Sequence, residues 1–240
     1  MRIVHCSDLH GHFPELPWEF DAVVCSGDFF KHNQFKVNYT PQRRQSEIQF
    51  QTNWLKSKIP FMKEWLKGKP LIWCSGNHDF LNPCDILNDH GIETIDLDNR
   101  LVEYKGFMWY GFPYVPTIRG EWNWEKDPTD LKQEVNNMIS RIKEAGYLDK
   151  LDILVAHCPP NGILDLDDGC NIGNRFMNSA INYALRQPLK LYLTGHVHQS
   201  RGYIEHGETL ISNAANMARL ISFIDNKWNI DATIKDSVIS

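Results

Sequence analysis

Short apolar runs of strand length recur along the chain, at 2–6, 21–25, 70–74, 92–95, 101–112, 151–156, 189–194, 208–213 and 219–225. Runs this short, often β-branched and bounded by Gly, Asn, Asp or Pro, form strands rather than helices. Helical patterns lie between several of them. In 45–67, Leu55, Ile59, Met62 and Leu66 fall on one face, and Pro60 is expected to kink or split that helix. Segment 128–145 carries a stripe of Leu131, Val135, Met138 and Ile142. Asp127 suits its cap, Pro128 its first position and Gly146 its exit. Segment 174–186 carries Phe176, Met177, Ala180, Ile181 and Ala184, and Pro188 stops it. Strands and helices alternate without a Gly-, Ser- or Pro-rich linker and without repeats. This order predicts one α/β domain over 1–240, with mixed sheets and helices outside.

Several function classes lose support at this level. No run approaches the roughly 18 apolar residues of a membrane span. The amino terminus reads directly as a strand, so no signal peptide is expected. The net charge of −5 gives no support to bulk nucleic-acid or acidic-membrane binding. Cys6, Cys25 and Cys74 each end an apolar run and precede Ser, as small buried core residues do. The absence of any Cys-x-x-Cys pair argues against a zinc knuckle. A reducing cytoplasm is the compartment expected.

Five of the strands run into residues that can do chemistry: Asp8-Leu9-His10, Gly27-Asp28, Gly76-Asn77-His78-Asp79, His157-Cys158-Pro159-Pro160 and Gly195-His196-Val197-His198. Ligands gather at the C-terminal ends of strands in α/β sheets. Carboxylate oxygen and imidazole nitrogen together suit two divalent ions such as zinc, manganese or iron. Two dications set against Asp8, Asp28 and one bridging hydroxide leave such a site net positive. It would attract a phosphate anion and lower the pKa of bound water. Each element alone says little; the ordered set, each at a strand end, says much more.

That ordered set, D-x-H, G-D, G-N-H-[D/E], H and G-H-x-H, resembles the calcineurin-like metallophosphoesterase superfamily from Asp8 to His198. The resemblance implies a four-layer α/β/β/α sandwich of two mixed sheets around a dinuclear metal centre. It gives one ion Asp8, His10, Asp28 and His198, and the other Asp28, Asn77, His157 and His196, with Asp28 bridging. His78 would contact the phosphoryl or leaving-group oxygen, and Asp79 would orient His78. Gly27-Asp28-Phe29-Phe30-Lys31 lacks the Arg of the protein phosphatase branch. The chain has no room for the capping domain of the DNA-repair nucleases. The size, His157-Cys158-Pro159-Pro160, Leu164-Asp165 and Asp168-Gly169-Cys170 look more like the small metallophosphoesterase domain-containing phosphodiesterases. The implied reaction is hydrolysis of a small phosphoester, a nucleotide diester leading, by a dimetal-bridging hydroxide. The rivals are a phosphomonoesterase and a non-catalytic scaffold on the same fold; scaffolds lose ligands or the His of Gly-Asn-His, and this chain keeps them.

Other features stay outside that set. Residues 30–44 and 113–126 read as long loops. The basic stretch 31–44 is read equally as a holder of a nucleotide's phosphates and as polar surface. Trp122 and Trp124 are read as packing residues ahead of base-stacking ones. His32, His90 and His206 are read as surface or loop residues, and Asp165–Gly169 as a solvated turn rather than a calcium loop.

Overall fold

The computed structural model describes residues 1–33, 41–181, 189–235 and 238–239. In chain order the first elements are β1 (Arg2–Ser7), β2 (Ala22–Cys25), α1 (Pro41–Leu66), β3 (Leu71–Trp73), α2 (Cys84–Asp89) and β4 (Thr94–Asp96). The hairpin β5 (Leu101–Tyr104) and β6 (Phe107–Phe112) precedes α3 (Pro128–Glu144), β7 (Ile153–Ala156), α4 (Arg175–Ser179) and β8 (Leu191–Thr194). The chain then runs through β9 (Gly202–His206), β10 (Thr209–Asn213), β11 (Met217–Ile224) and β12 (Lys227–Lys235).

Two six-stranded sheets result, in the orders β12-β11-β1-β2-β3-β4 and β9-β10-β8-β7-β6-β5. Both are mixed. In the first, β1, β2, β3 and β4 are parallel, β11 pairs antiparallel with β1, and β12 pairs antiparallel with β11. In the second, β6, β7, β8 and β10 are parallel, and β5 and β9 pair antiparallel at the edges.

Side-chain alternation stacks the layers, because successive strand residues point to opposite faces. Ile3, Val24, Ile72, Trp109, Val155 and Leu193 form the core between the sheets. Their neighbours Val4, Val23, Leu71 and Trp73 face outward onto Leu55, Met62 and Leu66 of α1. On the far side, Tyr110, Leu154, Ala156 and Tyr192 pack against Leu131, Val135, Met138 and Ile142 of α3. The order is helix, sheet, sheet, helix, as expected. Cys6, Cys25 and Cys74 are buried. No helix among the described residues is long and apolar enough to cross a membrane.

Several expectations change. The run 101–112 is two strands, because Lys105 and Gly106 both take positive φ, at 49° and 78°, and turn the chain. Helix α1 is not split: it spans Pro41–Leu66 with Pro60 inside. It also starts before residue 45, which puts Arg43 and Arg44 on a helix. Residues 34–40 of the basic stretch, Lys36 among them, lie outside the described residues, as do Ala184 and Pro188. Strands β9 and β12 and helix α2 add to the expected elements. α3 matches its reading: Asp127 Oδ1 accepts from Thr129 N at 2.8 Å and Asp130 N at 3.0 Å, and Gly146 has a φ of 80°.

Candidate metal centre

The parallel strands of both sheets release their loops at one rim. Beyond β1 come Asp8 and His10, beyond β2 Asp28, and beyond β3 Asn77 and His78; the facing sheet adds His157, His196 and His198 beyond β7 and β8. They converge across the sandwich. His198 Nε2 lies 3.0 Å from Asp8 Oδ1, and the His196 amide donates to Asp8 Oδ2 at 2.9 Å. His157 Nε2 lies 3.0 Å from Asn77 Oδ1 and 3.3 Å from Asp28 Oδ2. The His157 and His196 rings are 5.0 Å apart.

The backbone is bent to reach this arrangement. Asp8, His10, Asp28 and His196 all have positive φ, between 45° and 66°. Asp and His tolerate that region better than most side chains, but each such residue still costs of order 1–3 kcal/mol. Two glycines are fixed by close approach. A Cβ on Gly195 would collide with Ser7 Oγ and Asp8 Oδ2, and one on Gly76 would collide with the Asp28 carboxylate and sit 2.8 Å from His157 Cε1.

The donor set fits divalent ions. Two groups have all their donor atoms within 4.8 Å: Asp8 with His10 and His198, and Asp8 with Asp28 and His157. Asp8 is common to both, whereas the resemblance gives the bridging place to Asp28. Asp8 and Asp28 are buried side by side, an arrangement that needs compensating positive charge. His157 lies against Asp28 and His198 against Asp8. Burial alone would lower His157, yet the adjoining Asp28 carboxylate holds its pKa up to about 9. Burial would raise Asp8, yet the His198 hydrogen bond and His157 bring it down to about 2. Asn77 Nδ2 is buried without a hydrogen-bond partner, and its Oδ1 faces the cluster. The His157 ring is set by Nδ1, which donates to Ser26 O at 2.7 Å, leaving Nε2 for a ligand.

His78 and Asp79 lie beside these residues. The His78 amide donates to Asp28 Oδ1 at 2.7 Å, its Nε2 is 3.9 Å from Asp28 Oδ2, and its buried Nδ1 has no partner. Burial is the main cause of its pKa falling to about 3, so the ring is neutral. Asp79 does not serve the His78 ring. Its carboxylate accepts from the amides of Asp28 at 2.8 Å, Gly76 at 2.8 Å, Phe29 at 3.0 Å and Phe30 at 3.3 Å. It ties the two loops that carry Asp28 and Asn77. Burial and the Asp28 charge push its pKa upward against those donors.

Residues outside the motifs also build the site. Gln51 of α1 donates to His78 O at 2.8 Å and accepts from Phe80 N and Leu81 N, which fixes the His78 loop. Asn123 donates to Asp79 O at 2.7 Å and, through its amide, to Asn77 O at 3.0 Å; Arg44 donates to its Oδ1 at 2.6 Å. Trp122 lies over His78 with ring centroids 4.0 Å apart, while Trp124 packs on Tyr114 at 5.3 Å. Both tryptophans pack, but one packs on the site. His32 lies on a loop, as expected, but it is half-buried and paired, with Nε2 2.8 Å from His10 Nδ1. Its place on the Asp28 loop was the available signal. Arg43 and Arg44 reach toward 121–123, Arg43 pairing with Glu121 at 3.7 Å. A cleft of about 760 Å³ opens beside the centre, lined by His196, Lys126, Arg175, Phe176, Ile118 and Asn161 among others.

An α/β/β/α sandwich whose facing strand ends converge on acids, an amide and histidines defines a metallophosphoesterase-type protein. The family described as calcineurin-like phosphoesterase matches residues 1–200, and the chain belongs to that family. No curated protein matches the chain. A solved structure 15% identical in sequence superimposes with a TM-score of 0.68, covering 96% of this chain and 98% of its own, and so shares the fold. Calcineurin-like phosphoesterase YfkN from Bacillus subtilis gives a TM-score of 0.47 at 13% identity, over 100% of this chain and 92% of its own.

Proposed function

We propose that this protein is a phosphodiesterase for nucleotide or other small phosphodiesters, working with two divalent ions: manganese, iron or zinc. The observation that carries the reading is a cleft of about 760 Å³ whose wall includes the ligand candidate His196. A monoester needs room for one organic group at phosphorus; a diester needs room for two.

Asp8, His10, Asp28 and His198 would hold one ion, and Asp28, Asn77, His157 and His196 the other. When bound, the two ions supply positive charge to the phosphoryl oxygens and lower the pKa of water. His78, kept neutral by burial, offers a ring N–H as a hydrogen bond to the departing oxygen, with Trp122 packed against the ring. Asp79 and Gln51 hold the loops on which Asp28 and His78 ride. Lys126 and Arg175 favour an anionic substrate in the cleft, and Phe176 and Ile118 give its organic half an apolar wall.

The test is kcat/KM of the Mn²⁺-loaded protein on bis(p-nitrophenyl) phosphate and on p-nitrophenyl phosphate. The diester should turn over faster. A faster monoester would make this a phosphomonoesterase. No hydrolysis of either with manganese, iron or zinc would favour the scaffold reading.

A further inference from the structure

One imidazole at the centre has no place in the ligand set. His32 comes after Asp28 on the same loop and turns inward. Its Nε2 lies 2.8 Å from His10 Nδ1, with ring centroids 4.7 Å apart and planes at 43°. On its other side the ring packs on His78 at 4.3 Å and reaches Trp122 at 6.0 Å. It is held between a ligand candidate and the group beside the phosphoryl position.

Two ring nitrogens at this distance share one proton. A neutral imidazole has one N–H and one lone pair. For His10 to give a cation its Nε2 lone pair, the proton must sit on Nδ1, so Nδ1 must donate. The acceptor that faces it is His32 Nε2, which places the His32 proton on its own Nδ1. A partner on the far nitrogen is what fixes the tautomer and ring orientation of metal-bound histidines. At His157 that partner is the Ser26 carbonyl.

We propose that His32 is the positioning residue for His10. Its Nε2 accepts the His10 Nδ1 proton and so presents His10 Nε2 to the ion held with Asp8, Asp28 and His198. This rests on the metal reading of the preceding section but not on the substrate. His32 touches no reacting atom in this role and acts through His10.

The experiment is calorimetric titration of the metal-stripped full chain with Mn²⁺, which needs no substrate. His32→Phe keeps a ring against His78 and removes the acceptor; His32→Gln keeps an acceptor oxygen near the position of Nε2. The Phe variant should bind one of two ions about 10–100-fold more weakly, leave the other near its wild-type affinity, and keep its circular dichroism spectrum. The Gln variant should recover most of the loss. Wild-type affinity for both ions in His32→Phe would overturn the proposal. So would equal weakening of both ions, or a Gln variant as weak as the Phe variant, since neither is the signature of losing one acceptor at His10. A wild-type protein that binds no ion would overturn it together with the metal reading. A failed diester assay with two ions bound would overturn the substrate alone.

Discussion

Helix α3 and the rim that carries Asp8, Asp28 and His196 are built on opposite terms. In α3 every local preference agrees with the fold. Asp127 caps it, Pro128 sits at its start, Leu131, Val135, Met138 and Ile142 face the core, and Gly146 takes the left-handed exit. At the rim local preferences are overruled. Asp8, His10, Asp28 and His196 adopt positive φ, two carboxylates are buried together, and His78 Nδ1 and Asn77 Nδ2 are left without partners. Such a place persists only because its surroundings over-determine it: Asp79 across four backbone amides, Gln51 across three backbone groups, and glycines where a Cβ would collide. The contrast teaches that relaxed segments serve stability and strained ones serve a ligand.

The widest effect should come from Asp28→Ala. It removes the carboxylate that would bridge both ions, and should abolish hydrolysis and lower bound metal at both sites, read by elemental analysis. Loss of only one ion would move the bridging role to Asp8, which the two donor groups share. A narrower effect is expected of His78→Ala. Its metals should stay, and the rate on a nucleotide diester should fall by about 10²–10³-fold, the range for losing one hydrogen-bond donor to a developing negative charge. A nitrophenyl ester, whose leaving group departs unaided, should lose far less. Equal losses would make His78 a positioning group, and loss of metal would make it a ligand. The smallest effect should come from the relaxed region. Asp127→Ala removes the α3 cap and should cost about 1 kcal/mol in urea unfolding with metal content unchanged. A change in metal content would show that the two regions are coupled.

The same contrast explains how much could be read from the sequence. α3 was legible because its signals are local. The rim residues were legible because each comes after a short apolar run, so strand ends could be located before any contact was known. The edges were not. β12 alternates with mostly polar residues around one buried Trp228, and β9 exposes Tyr203 and Ile204, so neither looks like a core strand. Asp79 stands next to His78 in the sequence, but its carboxylate belongs to amides on another loop. His32 carries no motif, and its partner His10 comes from a different strand end. Contacts made across loops have no local signature, and at this rim they are what holds the acids and histidines in place.

In the function proposed above, these strained residues form a two-ion phosphodiesterase centre. The most direct test titrates Mn²⁺ into the metal-stripped protein and monitors bis(p-nitrophenyl) phosphate hydrolysis against bound metal. Activity should stay low through the first equivalent and rise to its plateau with the second. A plateau reached at one equivalent, or hydrolysis that persists after the metal is stripped, would contradict it.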